Sequence, residues 1–294
     1  MAIILLGSGQ LARALSLVIN KACRRLISLP RTCYPQVNDV LLRRVLPYYS
    51  PTVILNAAAY TDVAGAEREP DLAMAVNCDA VERLAELAKQ HNSLLVHFST
   101  DYVFDGEGHR PWRISDRPAP LNVYGKSKLA GEQAILASGC RHLIIRTSWL
   151  HSPWRENFLK TMLRLAQSHD ELQVVCDQVG APTSASMLAE VTLLAIERVL
   201  GEPKLEGLYH VSASGEVSWF DYARFIISEG DALGLTDKVP ELKPITSEEY
   251  GDAVKRPLNS RLDTQLFQQT FGLLLPDWQL GVKSTLQAIL QERR

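Results

Sequence analysis

The chain has 294 residues, 46% of them hydrophobic and 22% charged, and its 31 Lys and Arg against 33 Asp and Glu leave a net charge of −2. That composition excludes a disordered, collagen-like or disulfide-scaffold protein, and the near-neutral balance argues against a nucleic-acid or membrane-surface partner. No apolar run approaches the ~20 residues of a membrane span, and five scattered cysteines (Cys23, Cys33, Cys78, Cys140, Cys176) without a CxxC pair read as reduced thiols of a cytoplasmic protein.

Ile3–Leu6 is a short apolar run that ends at Gly7, and Leu11–Ile19 follows with helical spacing. Leu26–Leu29, Val53–Asn56, Leu94–Phe98 and Leu143–Arg146 are further β-like runs. Between them, Asp71–His91 and Gly125–Leu136 carry helical periodicity. Strands alternating with helices in this rhythm predict a doubly wound, Rossmann-type α/β fold whose parallel sheet is covered on both faces. The second half is less regular. Phe158–Gln167, Met187–Leu200 (after cap candidates Thr183 and Ser184), Trp219–Ile227 and a segment near Val282–Leu290 read as helices. Ser218 is placed to cap the third of these and Gly230 to end it. The change of rhythm near residue 150 predicts a smaller, intertwined substrate-binding lobe. The expected division is 1–152 and about 172–217 for the nucleotide domain, with about 153–171 and 218–294 for the lobe.

Gly7-Ser8-Gly9-Gln10-Leu11-Ala12 joins the first strand to the first helix. Gly7 permits the tight turn, Gly9 lets the backbone approach a pyrophosphate, and Ala12 allows close helix packing. The second strand ends in Pro30-Arg31-Thr32 with no carboxylate for an adenosine 2′-OH. An arginine there can pair a 2′-phosphate, so NADP(H) is preferred over NAD(H). Tyr124 and Lys128 are four residues apart on a helix and share its face. Beside a nicotinamide, such a tyrosine can protonate the oxygen of a carbonyl that receives hydride, and a nearby ammonium would lower its pKa. Lys126 points elsewhere. Thr100 and Asp101 follow a central strand, where ligands of open parallel sheets gather. Thr100 can reach both a substrate carbonyl and Tyr124; the plainer alternative is that both residues satisfy loop N–H groups. His97, His109 and His151 lack ligand spacing, so no metal site is expected, and no GxSxG elbow suggests a serine hydrolase.

The order of glycine turn, hydroxyl after a central strand and Tyr-x-x-x-Lys is that of the short-chain dehydrogenase/reductase superfamily. Asn56–Val63, Val76-Asn77, Ser99–Gly106, Pro120–Lys128, Arg146–Trp149, Asn157-Phe158, Asp177–Thr183 and Arg256–Asp263 closely resemble the dTDP-4-dehydrorhamnose reductase family. The resemblance implies NADPH-dependent reduction of the C4 ketone of a dTDP-4-keto-6-deoxy sugar. Tyr124 would be proton donor, Lys128 would orient the ribose and Thr100 would assist at the carbonyl. Cofactor contacts would fall on Gly7, Gly9, Gln10, Leu11, Arg31, Ala59, Tyr60 and Thr61, together with Tyr124 and Lys128. Sugar-nucleotide contacts would fall on Thr100, Asp101 and Trp149, whose ring suits a sugar or base. Two departures stand out: Gly7 and Gly9 bracket a single residue, and the segment after the second strand is short. Relatives that hold magnesium do so through glutamates at a subunit contact; no motif here assigns them, and a homodimer stays open. A reductase of other stereochemistry, a nucleotide-sugar epimerase and a non-catalytic regulatory subunit of the same fold are the alternatives.

Overall fold

The computed structural model describes residues 1–29 and 35–293, and of 35–41 only the main chain. The first half contains β1 (Ala2–Leu6), α1 (Gln10–Lys21), β2 (Arg25–Leu29), α2 (Pro35–Tyr49), β3 (Val53–Asn56), α3 (Val63–Arg68), α4 (Pro70–Met74), α5 (Ala80–Gln90), β4 (Leu94–Thr100), α6 (Val123–Ser138) and β5 (His142–Thr147). The second contains β6 (Leu150–His151), α7 (Phe158–Ser168), β7 (Glu171–Val175), β8 (Val179–Gly180), β9 (Thr183–Ser184), α8 (Ala185–Gly201), β10 (Gly207–His210), β11 (Val217–Ser218), α9 (Trp219–Ala232), β12 (Glu241–Ile245), α10 (Ser247–Tyr250), α11 (Gln265–Phe271) and α12 (Trp278–Arg293).

Six strands form one parallel sheet in the order β2-β1-β3-β4-β5-β10. Alternate residues of β1 enter different cores. Ile3 and Leu5 pack with α1 and α8, whereas Ile4 and Leu6 pack with α2 and α5. Burial on both faces is why these strands read as continuous apolar runs. After β2 the chain crosses back over β1 to lay down β3, which makes the β1/β3 boundary the switch point where a ligand crevice opens.

The stretch Asp71–His91 is not one helix. Ala75–Asp79 forms a π-turn between α4 and α5, from which the buried Asn77 reaches the main chain of Tyr60 in both directions, 2.9 and 3.0 Å, and Ser127 Oγ at 3.0 Å. A widened turn is a common way to re-aim a functional side chain. Gly230 lies inside α9 instead of beyond its end, because a Cβ there would stand 2.7 Å from Leu163 of α7. The helix stops instead near Gly234, at φ +66°. Outside the six-stranded sheet, β7 pairs with β12 and β8 with β11. The boundary read at about 172 therefore cuts β7, which sits with β12 rather than in the six-stranded sheet. Conversely α11 packs its Phe267 and Phe271 around Tyr209 of β10.

Candidate active site

At the end of β1, Gly7 adopts φ +120°, and a Cβ would stand 2.8 Å from the Ala57 carbonyl group. β1 and β3 approach so closely there that glycine is required on two counts. Gly9 differs. Its φ is −76° and a Cβ would meet nothing within 4 Å, so it faces open space. It begins α1 with no side-chain cap and no acidic residue in the first turn. The first N–H groups of α1 thus point to the crevice without a capping side chain, an arrangement that fits an anion such as a dinucleotide's pyrophosphate.

The side chain of Gln10 is occupied differently from what the motif suggests. It donates to the Leu150 carbonyl (3.2 Å) and accepts from Ser152 Oγ (2.9 Å) and Asn157 Nδ2 (3.4 Å). Arg155 donates to the Ser8 carbonyl at 3.0 Å, and the Arg13 guanidinium lies 4.6 Å over the Trp154 ring. Residues 150–157 therefore form a strap bound to the glycine turn. Gly7, Gly9, Gln10, Leu11, Ala59 and Thr61 all line one cavity of about 680 Å³ with Thr100, Asp101, Tyr124, Lys128 and Trp149. Tyr60 does not line it. Its main chain is pinned by Asn77, and its hydroxyl donates to Glu69 at 2.6 Å. Arg31 lies outside the described residues, as does Cys33's side chain.

The opposite wall starts where α6 docks on the turn after β4. Asn122 caps α6 by accepting from Gly125 N–H at 2.8 Å, and a Cβ on Gly125 would come within 2.2 Å of the Tyr102 carbonyl. This contact sets Tyr124 beside Thr100 in the same cavity wall. Thr100 Oγ1 donates to Asp101 Oδ1 at 3.2 Å and accepts from Tyr102 N–H at 3.2 Å, so it serves the loop and the site together. Burial pushes the Tyr124 hydroxyl well above its ordinary pKa, with the Asp101 carboxylate adding to the rise and Thr100 opposing it. Burial likewise lifts Asp101 to about 7, against hydrogen bonds from Ser260 and Thr100.

Lys128 is fully buried, donating to the Phe98 carbonyl at 2.6 Å and meeting His97 Nε2 at 3.2 Å. Burial lowers it to about 8, with Glu132 opposing. The expected lowering of the Tyr124 pKa by Lys128 is not what the geometry gives: the amine is turned to β4, and burial dominates the tyrosine. Lys126 is exposed.

Trp149, at φ +47°, stacks on Trp219 with ring centroids 3.6 Å apart and planes 14° from parallel. One face of Trp149 is thus taken by Trp219 instead of being open to a sugar or base. Trp219, Tyr222 and Phe158 join the same wall from α9 and α7. Five residues that line this cavity each carry a buried polar atom with no hydrogen-bond partner among the described residues: Ser99 Oγ, Asp101 Oδ2, Thr147 Oγ1, His151 Nε2 and Tyr222 Oη. Buried polar atoms normally find partners, and their concentration in one cavity marks a place for a polar ligand. No sequence pattern marks Arg155, Trp219 or Tyr222 as site residues. His97 alone had a readable signal, a polar residue inside the otherwise apolar run Leu94–Phe98.

Comparison with known proteins gives this arrangement its context. The profile of the family described as RmlD substrate binding domain matches residues 1–291. A dTDP-4-dehydrorhamnose reductase of Escherichia coli strain K12 is 47% identical over 239 residues, covering 81% of this chain and 80% of that protein. A dTDP-4-dehydrorhamnose reductase of Aggregatibacter actinomycetemcomitans is 40% identical over 280 residues, 95% of each chain. The crystal structure of the dTDP-4-dehydrorhamnose reductase of Bacillus anthracis in complex with NADP superposes with a TM-score of 0.89 at 32% identity, covering 98% of this chain and 100% of that one.

Proposed function

Because the chain belongs to the dTDP-4-dehydrorhamnose reductase family, we propose that it reduces the C4 ketone of dTDP-4-dehydro-L-rhamnose with NADPH, giving dTDP-L-rhamnose. NADPH supplies the hydride that adds to the C4 carbon. The chain supplies the rest. The start of α1 holds the pyrophosphate through main-chain N–H groups, with Gly9 open to its approach. Thr100 and Tyr124 converge on the sugar ketone, and Tyr124 gives its proton to the C4 oxygen as that oxygen becomes an alcohol. A hydroxyl whose pKa is raised stays protonated until then. The orphaned atoms of Ser99, Asp101 and Thr147 suit the hydroxyl groups of the sugar, and the small lobe around α7 and α9 closes that side. Such work belongs in the cytoplasm, where NADPH is kept reduced; the described cysteines, 23, 78, 140 and 176, are unbridged.

The observation that carries this reading is the meeting, in one cavity, of an uncapped helix start with Tyr124 and the hydrogen-bonded Thr100–Asp101 pair. The test is NADPH oxidation with the 4-keto sugar nucleotide and NMR of the product. Tyr124→Phe should fold, bind NADPH and lose about 10²- to 10⁴-fold in kcat. Near-normal turnover in that variant removes Tyr124 from the role. Sugar interconversion without net NADPH consumption would replace the reading by an epimerase, and a product of the opposite C4 configuration by a sister reductase.

A further inference from the structure

The hydrogen bonds behind Lys128 have a direction. Ala58 N–H donates to Asn56 Oδ1 at 3.3 Å, which fixes the amide and turns its Nδ2 toward His97 Nδ1 at 3.1 Å. The amide can only donate, so Nδ1 of the imidazole accepts. A neutral imidazole that accepts at Nδ1 carries its proton at Nε2. Nε2 lies 3.2 Å from Lys128 Nζ, and the same Nζ donates to the Phe98 carbonyl at 2.6 Å. An ammonium group has three donors and no acceptor, so it would face an N–H across that 3.2 Å. A neutral amine has one lone pair and completes the chain without conflict: Asn56 donates to His97, His97 to Lys128, and Lys128 to Phe98. His97 is 0% exposed and Lys128 1%, so no solvent relieves the mismatch.

We propose that in mildly alkaline solution His97 positions Lys128 as a neutral amine in the cofactor-free protein, and that binding NADPH there draws a proton from solvent onto Lys128 Nζ. The inference rests on the cofactor lying against Lys128, as in the function proposed above. A dinucleotide brings negative phosphates and ribose hydroxyls that accept hydrogen bonds, both of which favour the ammonium; His97 and Asn56 then adjust by an amide turn and a change of tautomer.

Several ionisable groups surround the amine. His97 comes from β4, and burial and Lys128 together keep it neutral. Glu132, one turn along α6, favours the ammonium, but it is itself held by Arg146 of β5 through bonds of 2.6 and 2.9 Å. Tyr124 turns its hydroxyl to Thr100, and Asp101 sits beyond Thr100. The burial that brings Lys128 down to about 8 places its titration within reach of ordinary buffers.

The test is calorimetric titration of the whole protein with NADPH at pH 8.5, in buffers of different ionisation enthalpy, because the slope of heat against that enthalpy counts protons. At this pH the 2′-phosphate is fully ionised. Roughly half a proton or more should be taken up per site. His97→Gln offers the amine a carbonyl acceptor, so Lys128 should already be protonated and the uptake should fall toward zero while NADPH still binds. Lys128→Met should also abolish it, which separates Lys128 from Asp101 as the source. Binding without proton uptake in the parent protein, or unchanged uptake in His97→Gln, overturns the proposal. If His97→Gln does not fold, the parent and Lys128→Met decide. Failure of NADPH to bind at all would instead strike the functional reading.

Discussion

The two walls of the cavity are made from different material. The wall at Gly7–Leu11 is main chain: one glycine forced by a backbone contact, another open to solvent, and a helix start without a cap. The wall at Thr100, Asp101, Tyr124 and Lys128 is side chain, with Thr100, Asp101 and Lys128 buried, Tyr124 half-buried, and polar atoms left without partners. Main-chain recognition tolerates changes of side chain but not of backbone shape. A buried polar wall is sensitive to every atom and to pH, since each group's protonation is set by its neighbours.

Substitutions can break this contrast, beginning with the largest effect. Gly7→Val meets the Ala57 backbone at 2.8 Å in a conformation hostile to β-branched residues, and should cost several kcal/mol, enough to deny a cooperative thermal melt. A well-folded variant would show that the β1/β3 crossing is looser than it looks. On the polar wall, Asp101 binds its proton more tightly folded than unfolded, being lifted to about 7. Stability should therefore fall as pH rises from about 4 to 7 and level off above, by up to about 4 kcal/mol at this one site. Asp101→Asn should flatten that slope in urea titrations run at pH 5 and pH 8; an identical slope in the variant means another group is responsible.

Gly9→Ala sharpens the contrast within one wall. With nothing inside 4 Å its melting temperature should hold, yet NADPH affinity by fluorescence titration should drop about tenfold, equivalent to ~1.4 kcal/mol. Loss of stability in place of affinity would make Gly9 structural. Arg155→Gln should have the smallest consequence. Arg155 and Lys128 are the cationic side chains that line the cavity among the described residues, and Arg155 is exposed. Its removal should weaken NADPH binding by a few-fold, near ~0.5 kcal/mol, with the difference shrinking at high salt.

What could be read beforehand follows from how far along the chain each signal extends. The glycine turn and the Tyr124/Lys128 pair are local spacings, and a strand-to-helix turn or a single helical turn is enough to realise them. The strands were legible because burial on both faces leaves continuous apolar runs. The pairing of Trp149 with Trp219 joins residues 70 positions apart, and Arg155 meets Ser8 across 147, so neither leaves a local pattern. The π-turn at Ala75–Asp79 was also hidden, since its cause is the reach of Asn77 to Tyr60 and Ser127 rather than any breaker in the sequence. Gly230 misleads for a related reason: a glycine demanded by a helix crossing looks the same in sequence as one demanded by a helix end. The preference expected from Arg31 falls outside the described residues, so the case for NADP rests on the family and its NADP-bound member.

The strap over the glycine turn carries one more consequence. Gln10 starts the helix proposed to face the pyrophosphate, and its side chain also grips residues 150, 152 and 157, next to Phe158 and the first turn of α7 on the side proposed for the sugar. A single side chain thus ties the glycine turn to residues 150–157. In the proposed function, movement of the glycine turn on cofactor loading would pass through this tie to the side that receives the sugar. By thermodynamic linkage, whatever factor the cofactor imposes on sugar-nucleotide affinity must be returned in equal measure. Gln10→Ala, by cutting the tie, should bring that factor closer to one in paired titrations of either ligand with and without the other.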